Sequence, residues 1–149
     1  MNRAKIKVTC DSICDLPAEV CKKYDIRVIP LGINFGENHY FDGVDITTPE
    51  LFEYVKQYGD LPKTNAGALG DYMDIFGAYV EQGYSVIHIT ISSEMSVCYH
   101  NACLAAQELG NVYPIDSRNL SSGSGHLVLK AAELAAAGME AKDIADALN

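Results

Sequence analysis

Apolar and polar positions follow two rhythms along this chain, one of period two and one of period 3.6. Tyr84 to Ile91 (YSVIHITI) is the clearest strand, because Val86, Ile87, Ile89 and Ile91 are β-branched and favour extended backbone. Ile6 to Cys10 reads as a short opening strand and Val112 to Ile115 as another. Ile26 to Phe35 (IRVIPLGINF) is a further extended run, but Pro30 interrupts it and argues against one continuous central strand. Between these runs lie helical patterns. Leu16-Pro17 starts a short helix through Lys23. Thr48-Pro49-Glu50-Leu51 is a helix start, with Thr48 as cap, Pro49 in the first position and Leu51, Phe52 and Val55 as the apolar stripe. Gly59 ends that helix. Asp71 to Gln82 predicts a helix with Met73, Phe76 and Val80 facing inward, and Val97 to Leu109 predicts another closed by Gly110.

The remaining segments read as connections. Gly36 to Asp45 is loop or hairpin with an Asp42-Gly43 turn signal, and Leu61 to Gly67 is a loop of small polar residues. Asp116 to Asn119 leaves the Val112–Ile115 strand. Ser121-Ser122-Gly123-Ser124-Gly125 leads into an Ala-rich helix through Ala137, stopped by Gly138. Ala141 to Leu148 opens one more helix, so the pattern ends inside a helix and the chain is expected to stop before the full protein does. This strand–helix alternation predicts an α/β fold, a mostly parallel sheet with helices on both faces.

Composition narrows the function classes. The 149 residues are 48% hydrophobic and 21% charged, a globular balance. Eleven basic against twenty acidic residues give a formal net charge of −9. With a pI near 4.7, no basic cluster is available to hold nucleic acid or an anionic membrane surface. No apolar run reaches the roughly eighteen residues that a membrane span requires. Met1 to Val8 has no apolar stretch long enough for a signal peptide, so a cytoplasmic location is expected. The five cysteines (Cys10, Cys14, Cys21, Cys98 and Cys103) contain no C-x-x-C pair and read as reduced, buried thiols rather than a zinc site.

The candidate chemistry sits at the strand ends, where parallel α/β sheets bind ligands. The first strand exits into Asp11-Ser12, the Tyr84–Ile91 strand into Ser92-Ser93 and Ser96, and the next into Asp116-Ser117; Thr64 and Asn65 join from a loop. Hydroxyls donate to an anion without being reactive bases, and the helix starting near Ser96 adds free N–H groups that favour a carboxylate or phosphate. The same Ser and Asp residues could instead be helix caps, and spacing alone leaves both readings open. Nucleophilic catalysis is poorly supported. Ser92-Ser93 lacks a G-x-S-x-G elbow, His88 falls inside a strand where it would pack against a helix, His100 and His126 fall in or near helices, and His39 is in a loop. Asp11, Asp15, Asp42 and Asp45 have no Ca²⁺-loop spacing, and Gly123-x-Gly125 does not follow a strand as a dinucleotide fingerprint requires.

Five motifs in order carry a resemblance. Asp11-Ser12-Ile13-Cys14-Asp15-Leu16 is similar to D-S-x-x-D-L, and Asp42-Gly43-Val44-Asp45-Ile46 to D-G-x-D-I. Leu61-Pro62-Lys63-Thr64 matches the approach to T-S-Q-P-S, and Ile91 to Ser96 resembles I-S-S-x-L-S. Ile115-Asp116-Ser117-Arg118, followed by Gly123-Ser124-Gly125-His126-Leu127-Val128, resembles D-S-K and a G-x-G-x-L-V helix start. Together they resemble the DegV family of fatty-acid-binding proteins.

The resemblance implies a non-catalytic, two-lobe protein that holds a long-chain fatty acid between its lobes and presents it to a fatty-acid kinase related to dihydroxyacetone kinases. It implies no metal and no cofactor beyond the bound acid. It places the carboxylate grip on Thr64, Ser92 and Ser93, with Ser96 beside them and Asn65, Ser12 and Ser117 around them. Residues 1–149 would then be the first lobe, with 139–149 beginning an inter-lobe helix. The second lobe would supply the other tunnel wall and a His-containing loop. Two stretches depart from the pattern, each losing hydroxyls: Asn65-Ala66-Gly67-Ala68 stands for S-Q-P-S, and Val97-Cys98 for G-T. The alternative function is an enzyme or binding protein for a small phosphorylated or carboxylated metabolite in the same crevice. A lone first lobe is also expected to self-associate through Leu127–Ala137 and Ala141–Leu148, whose Ala faces would lack a partner.

Overall fold

The computed structural model describes residues 5–149, so the beginning of the Met1–Val8 segment lies outside the described residues. In chain order the elements are β1 (Lys5–Asp11), a 3-10 turn (Ser12–Cys14), α1 (Ala18–Lys23), β2 (Arg27–Ile29), β3 (Gly32–Phe35), β4 (Asn38–Phe41), α2 (Thr48–Tyr58), β5 (Lys63–Asn65), α3 (Leu69–Glu81), β6 (Tyr84–Thr90), α4 (Cys98–Leu109), β7 (Val112–Asp116), α5 (Ser121–Ala136) and α6 (Ala141–Leu148).

Four strands form the expected parallel sheet, in the order β2-β1-β6-β7. Side chains alternate across it. Val8, Cys10, Ile87, Ile89 and Ile115 bury one face against Val128, Ala131 and Ala132 of α5 and Ala141 and Ile144 of α6. Val86, Val112 and Ile29 bury the other against Tyr72 and Phe76 of α3 and Ala102 and Ala105 of α4. The Ala faces of α5 and α6, expected to lack a partner, are therefore packed within this chain: Ile144 is 0% exposed and Ala145 6%. That corrects their selection as self-association elements.

A second, antiparallel sheet (β4-β3-β5) stands beside the first; its β3–β4 pair bears out the hairpin reading around Gly36, while the third strand, β5, is not predicted by the pattern. Pro30 separates the two sheets. It divides the Ile26–Phe35 run into β2, an edge of the parallel sheet, and β3, the centre of the antiparallel one. Ile33, Phe35 and Ile46 bury this sheet against Leu51, Tyr54 and Val55 of α2. Phe52, expected in that stripe, is 65% exposed. The α2 cap is Thr47 rather than Thr48: Glu50 accepts the Thr47 N–H at 2.8 Å and the Thr47 side chain accepts the Glu50 N–H, forming a capping box, while the Thr47 hydroxyl also donates to Glu50 at 2.6 Å. Leu61–Gly67 is not all loop, since Lys63–Asn65 pairs with β3.

Ser121–Gly125 is likewise the first part of α5 rather than a loop before it. Gly125 makes this possible, because a Cβ there would stand 2.6 Å from the Cys14 carbonyl oxygen. On either side of β7, Asn111 O accepts the Val86 N–H and the Ser117 N–H donates to Thr90 O of β6. By strand alternation, the intervening Pro114 turns its backbone to the outer side.

Candidate functional site

The exits of β1, β6 and β7 are tied to one another by two carboxylates. Asp11 closes β1 and is fully buried. It accepts the Tyr72 hydroxyl at 2.7 Å and the Ile91 N–H at 3.0 Å, and His88 Nε2 lies 3.3 Å from the same oxygen as Tyr72. Burial pushes the Asp11 carboxyl up, but its contacts with His88, Tyr72 and Ile91 outweigh this and hold it below its ordinary value. Burial pushes the Tyr72 phenol far up, with the Asp11 charge adding to it, so Tyr72 remains a donor. Ile91 is the residue entering the Ser92-Ser93 turn, so Asp11 fixes the base of that turn from the neighbouring strand.

Asp116, half-buried at the end of β7, holds the other side. Its Oδ1 accepts the Ser93 N–H at 3.0 Å and the Arg118 N–H at 2.9 Å, and its Oδ2 accepts the Ser93 hydroxyl at 2.5 Å. Partial burial raises its carboxyl, and the Ser93 and Arg118 bonds bring it below the ordinary value.

The other hydroxyls are employed locally. Buried Ser92 donates its N–H to Asn119 O, accepts the Met95 and Ser96 N–H groups on its carbonyl and accepts the Glu94 N–H on its Oγ. Ser96 Oγ accepts the Cys98 N–H at 3.3 Å and donates to the Cys98 sulfur, so it caps the start of α4. Ser117 Oγ bonds the Asn119 backbone and lies 2.9 Å from Ser124 Oγ. Ser12 Oγ accepts the Leu31 N–H at 3.2 Å, bracing the connection between the two sheets. Ser93 is the exposed serine of the group.

Thr64 and Asn65 sit exposed on β5, opposite Ile33 and Gly32. The segment after them is fastened to the exits through Gly67. Asn101 Nδ2 donates to Gly67 O at 2.9 Å, and a Cβ on Gly67 would stand 2.6 Å from the Tyr72 hydroxyl oxygen. Tyr72 thus braces Asp11 on one side and seats Gly67 on the other. Exposed apolar side chains share these loops: Met95 (60%) and Val97 (59%) neighbour Ser96 in the chain, and Leu120 (45%) follows Asn119, whose carbonyl accepts the Ser92 N–H.

Tyr72, Asn101 and the role of Asp116 escaped the sequence reading. Tyr72 lies one turn before Phe76 on the inward face of α3, so extending that stripe would have found it. Nothing in the pattern marks Asn101, whose partner is a backbone carbonyl. His88 packs against α3 as expected, with its ring 5.1 Å from that of Tyr72 and 5.0 Å from that of Phe76, which stack on each other. Ser93 is partnered by Asp116, while His100 and His126 are exposed on α4 and α5. Among the described residues no group of three or more His, Cys, Asp or Glu could hold a metal, and no helix is long and apolar enough to cross a membrane.

The chain is similar to known proteins over nearly all its length. A DegV domain-containing protein of Clostridium perfringens is 44% identical over 142 residues, which are 94% of this chain and 51% of that protein. The solved structure of DegV, a fatty acid binding protein from Bacillus subtilis, superposes with a TM-score of 0.90 at 31% identity, covering 97% of this chain and 52% of that one. That of a stearic acid-binding protein from Eubacterium ventriosum gives 0.88 at 31% identity, covering 96% and 52%. The chain therefore spans about half the length of these relatives. A family profile described as "Uncharacterised protein, DegV family" matches residues 5–149, and the chain belongs to the DegV family.

Proposed function

We propose that this chain forms the headgroup side of a long-chain fatty-acid site at the exits of β1, β6 and β7. Ser93 and Thr64 donate to the carboxyl group, Ser92, Ser96 and Asn65 surround it, and Ser12 and Ser117 hold the loops that carry them. Met95, Val97 and Leu120 meet the first carbons of the acyl chain. One observation carries this reading: an exposed hydroxyl, Ser93, is held in place by Asp116 in a segment that also carries the exposed apolar side chains of Met95 and Val97. An amphiphile needs that juxtaposition of donor and apolar surface. Fatty-acid binding by the 31%-identical neighbours supports it. To grip an ionised carboxyl, the Ser93 hydroxyl turns from Asp116 Oδ2 to the ligand, while its N–H keeps the turn in place. The protein acts as a carrier in the cytoplasm rather than a catalyst, and the acid it holds is presented to a fatty-acid kinase.

Native mass spectrometry of the gently purified full-length protein tests the reading. One bound acyl chain per protein is expected, exchanging with added palmitate or oleate. A protein that carries no acyl chain and binds neither acid overturns it. Phosphorylation of the bound acid by a purified fatty-acid kinase tests the partner separately.

A further inference from the structure

Two thiols meet beneath the exit of β1, at the turn that also carries Ser12. Cys10 is the penultimate residue of the strand, and Cys14 ends the 3-10 turn that follows. Their sulfurs are 3.3 Å apart, and the Cys10 S–H donates to Cys14. Both are free and buried, at 0% and 2% exposure. The surroundings make the two sulfurs unequal. The Cys10 S–H and the Leu16 N–H, acting against burial, draw the Cys14 thiol down to about 7. The bond to Cys14, with burial, pushes Cys10 well up. A disulfide needs a sulfur separation of about 2.05 Å, so closure requires a shift of little more than 1 Å across a pair only four residues apart.

We propose that Cys10 and Cys14 are an oxidisable dithiol, a modification site for hydrogen peroxide in which Cys14 attacks and Cys10 resolves. The Cys14 thiolate attacks one peroxide oxygen. The S–O bond forms, the O–O bond breaks, and the departing hydroxide takes up the proton lost by Cys14 and leaves as water. Cys14 is then a sulfenic acid, oxidised by two electrons, and the peroxide is reduced. Cys10 sulfur attacks Cys14 sulfur. The S–S bond forms, the S–O bond breaks, and hydroxide leaves with the Cys10 proton as a second water. The sum is two thiols and one peroxide giving one disulfide and two waters.

Burial selects the oxidant. Peroxide is little larger than water and enters through local opening of a single-turn element, whereas a bulky disulfide needs an exposed sulfur. Oxidation is felt locally as well. The same turn carries Ser12, which holds Leu31, and the Cys14 carbonyl, against which Gly125 packs.

The purified chain is treated with equimolar hydrogen peroxide, alkylated and mapped. Cys10, Cys14 and Cys21 fall in one tryptic peptide, Val8–Lys22. That peptide is expected to lose about two mass units, with Cys10 and Cys14 linked and Cys21 alkylated, and dithiothreitol should restore it. Oxidised glutathione should give no adduct at Cys14. Cys10→Ser should trap Cys14 as a dimedone-reactive sulfenic acid, and Cys14→Ser should abolish the mass loss. A Cys14–Cys21 link, oxidation confined to Cys21 or Cys103, or an unchanged peptide overturns the proposal. The map of the unmutated chain decides alone if either variant fails to fold.

Discussion

Ser93 gives both of its hydrogen-bond donors to one carboxylate: its N–H reaches Asp116 Oδ1 at 3.0 Å and its hydroxyl reaches Oδ2 at 2.5 Å. Asp116 therefore joins the exits of two adjacent strands. Ser93→Ala keeps the backbone bond, whereas Asp116→Ala removes both together with the Arg118 N–H bond. Urea denaturation should show Asp116→Ala to be the more destabilising, by about 1–2 kcal/mol against less than about 1 kcal/mol for Ser93→Ala. The reverse order would mean that Asp116 does not organise the turn.

Acid should unfold the protein through Asp11 and Asp116. Both carboxyls lie below their ordinary value of 3.8 in the folded chain. The unfolded chain takes up these protons more readily than the folded one. Their stabilising contribution is therefore complete above that ordinary value and is lost as pH falls through the lower folded values. Thermal unfolding followed from pH 5 down to about 2 should show Tm dropping, with a shallower fall in Asp116→Asn. Parallel curves for the two proteins would exclude Asp116 from the effect.

Tyr72→Phe leaves the ring packing in place and removes one donor from a buried carboxylate. A hydrogen bond to a charged group contributes about 1.5–3 kcal/mol, and a loss of that size is expected at unchanged denaturant m-value. A neutral substitution would show that His88 and the Ile91 N–H suffice for Asp11.

Two glycines in α5 should respond differently to alanine. At Gly125 the new Cβ meets a backbone carbonyl, that of Cys14, at 2.6 Å, so helix and turn must separate. At Gly123 it meets chiefly the end of the Asn119 side chain, which can rotate away. Gly125→Ala should cost about 1–3 kcal/mol, while Gly123→Ala is offset by the better helix propensity of alanine. Equal melting temperatures for the two would refute this difference.

In the full-length protein, Thr64→Ala and Ser93→Ala should each weaken palmitate binding by about 1.5–3 kcal/mol, roughly ten- to a hundred-fold. Titration calorimetry with the folded variants reads this directly. Unchanged affinity in both would move the carboxyl group away from these hydroxyls.

The elements legible in the sequence were those encoded locally. β1, β6 and β7 are short runs with β-branched residues at their centres or ends, β6 being buried on both faces, and Gly59, Gly110 and Gly138 end helices with positive φ. What escaped depends on partners distant in sequence. Lys63–Asn65 carries no apolar alternation and is a strand because β3 pairs with it. Gly123 and Gly125 read as loop by propensity, yet the close approach of Cys14 overrides that preference. Pro30 marks a break, but nothing local tells that its two sides enter different sheets. At the site, the hydroxyl positions were visible from strand order, whereas the tie from Tyr72 through Asp11 to Ile91 spans 80 residues and has no local signature.

Pro114 carries a consequence for how the molecule can aggregate. It occupies the middle of the outermost strand with its nitrogen turned outward, where a neighbouring chain would look for an amide proton. The ladder offered to an intruding strand has a missing rung, and the opposite border of the sheet, β2, is three residues long. Fibril-like stacking through this sheet is thus discouraged at both borders. Strand addition to the molecule is left to the short edges of the antiparallel sheet, β4 and β5.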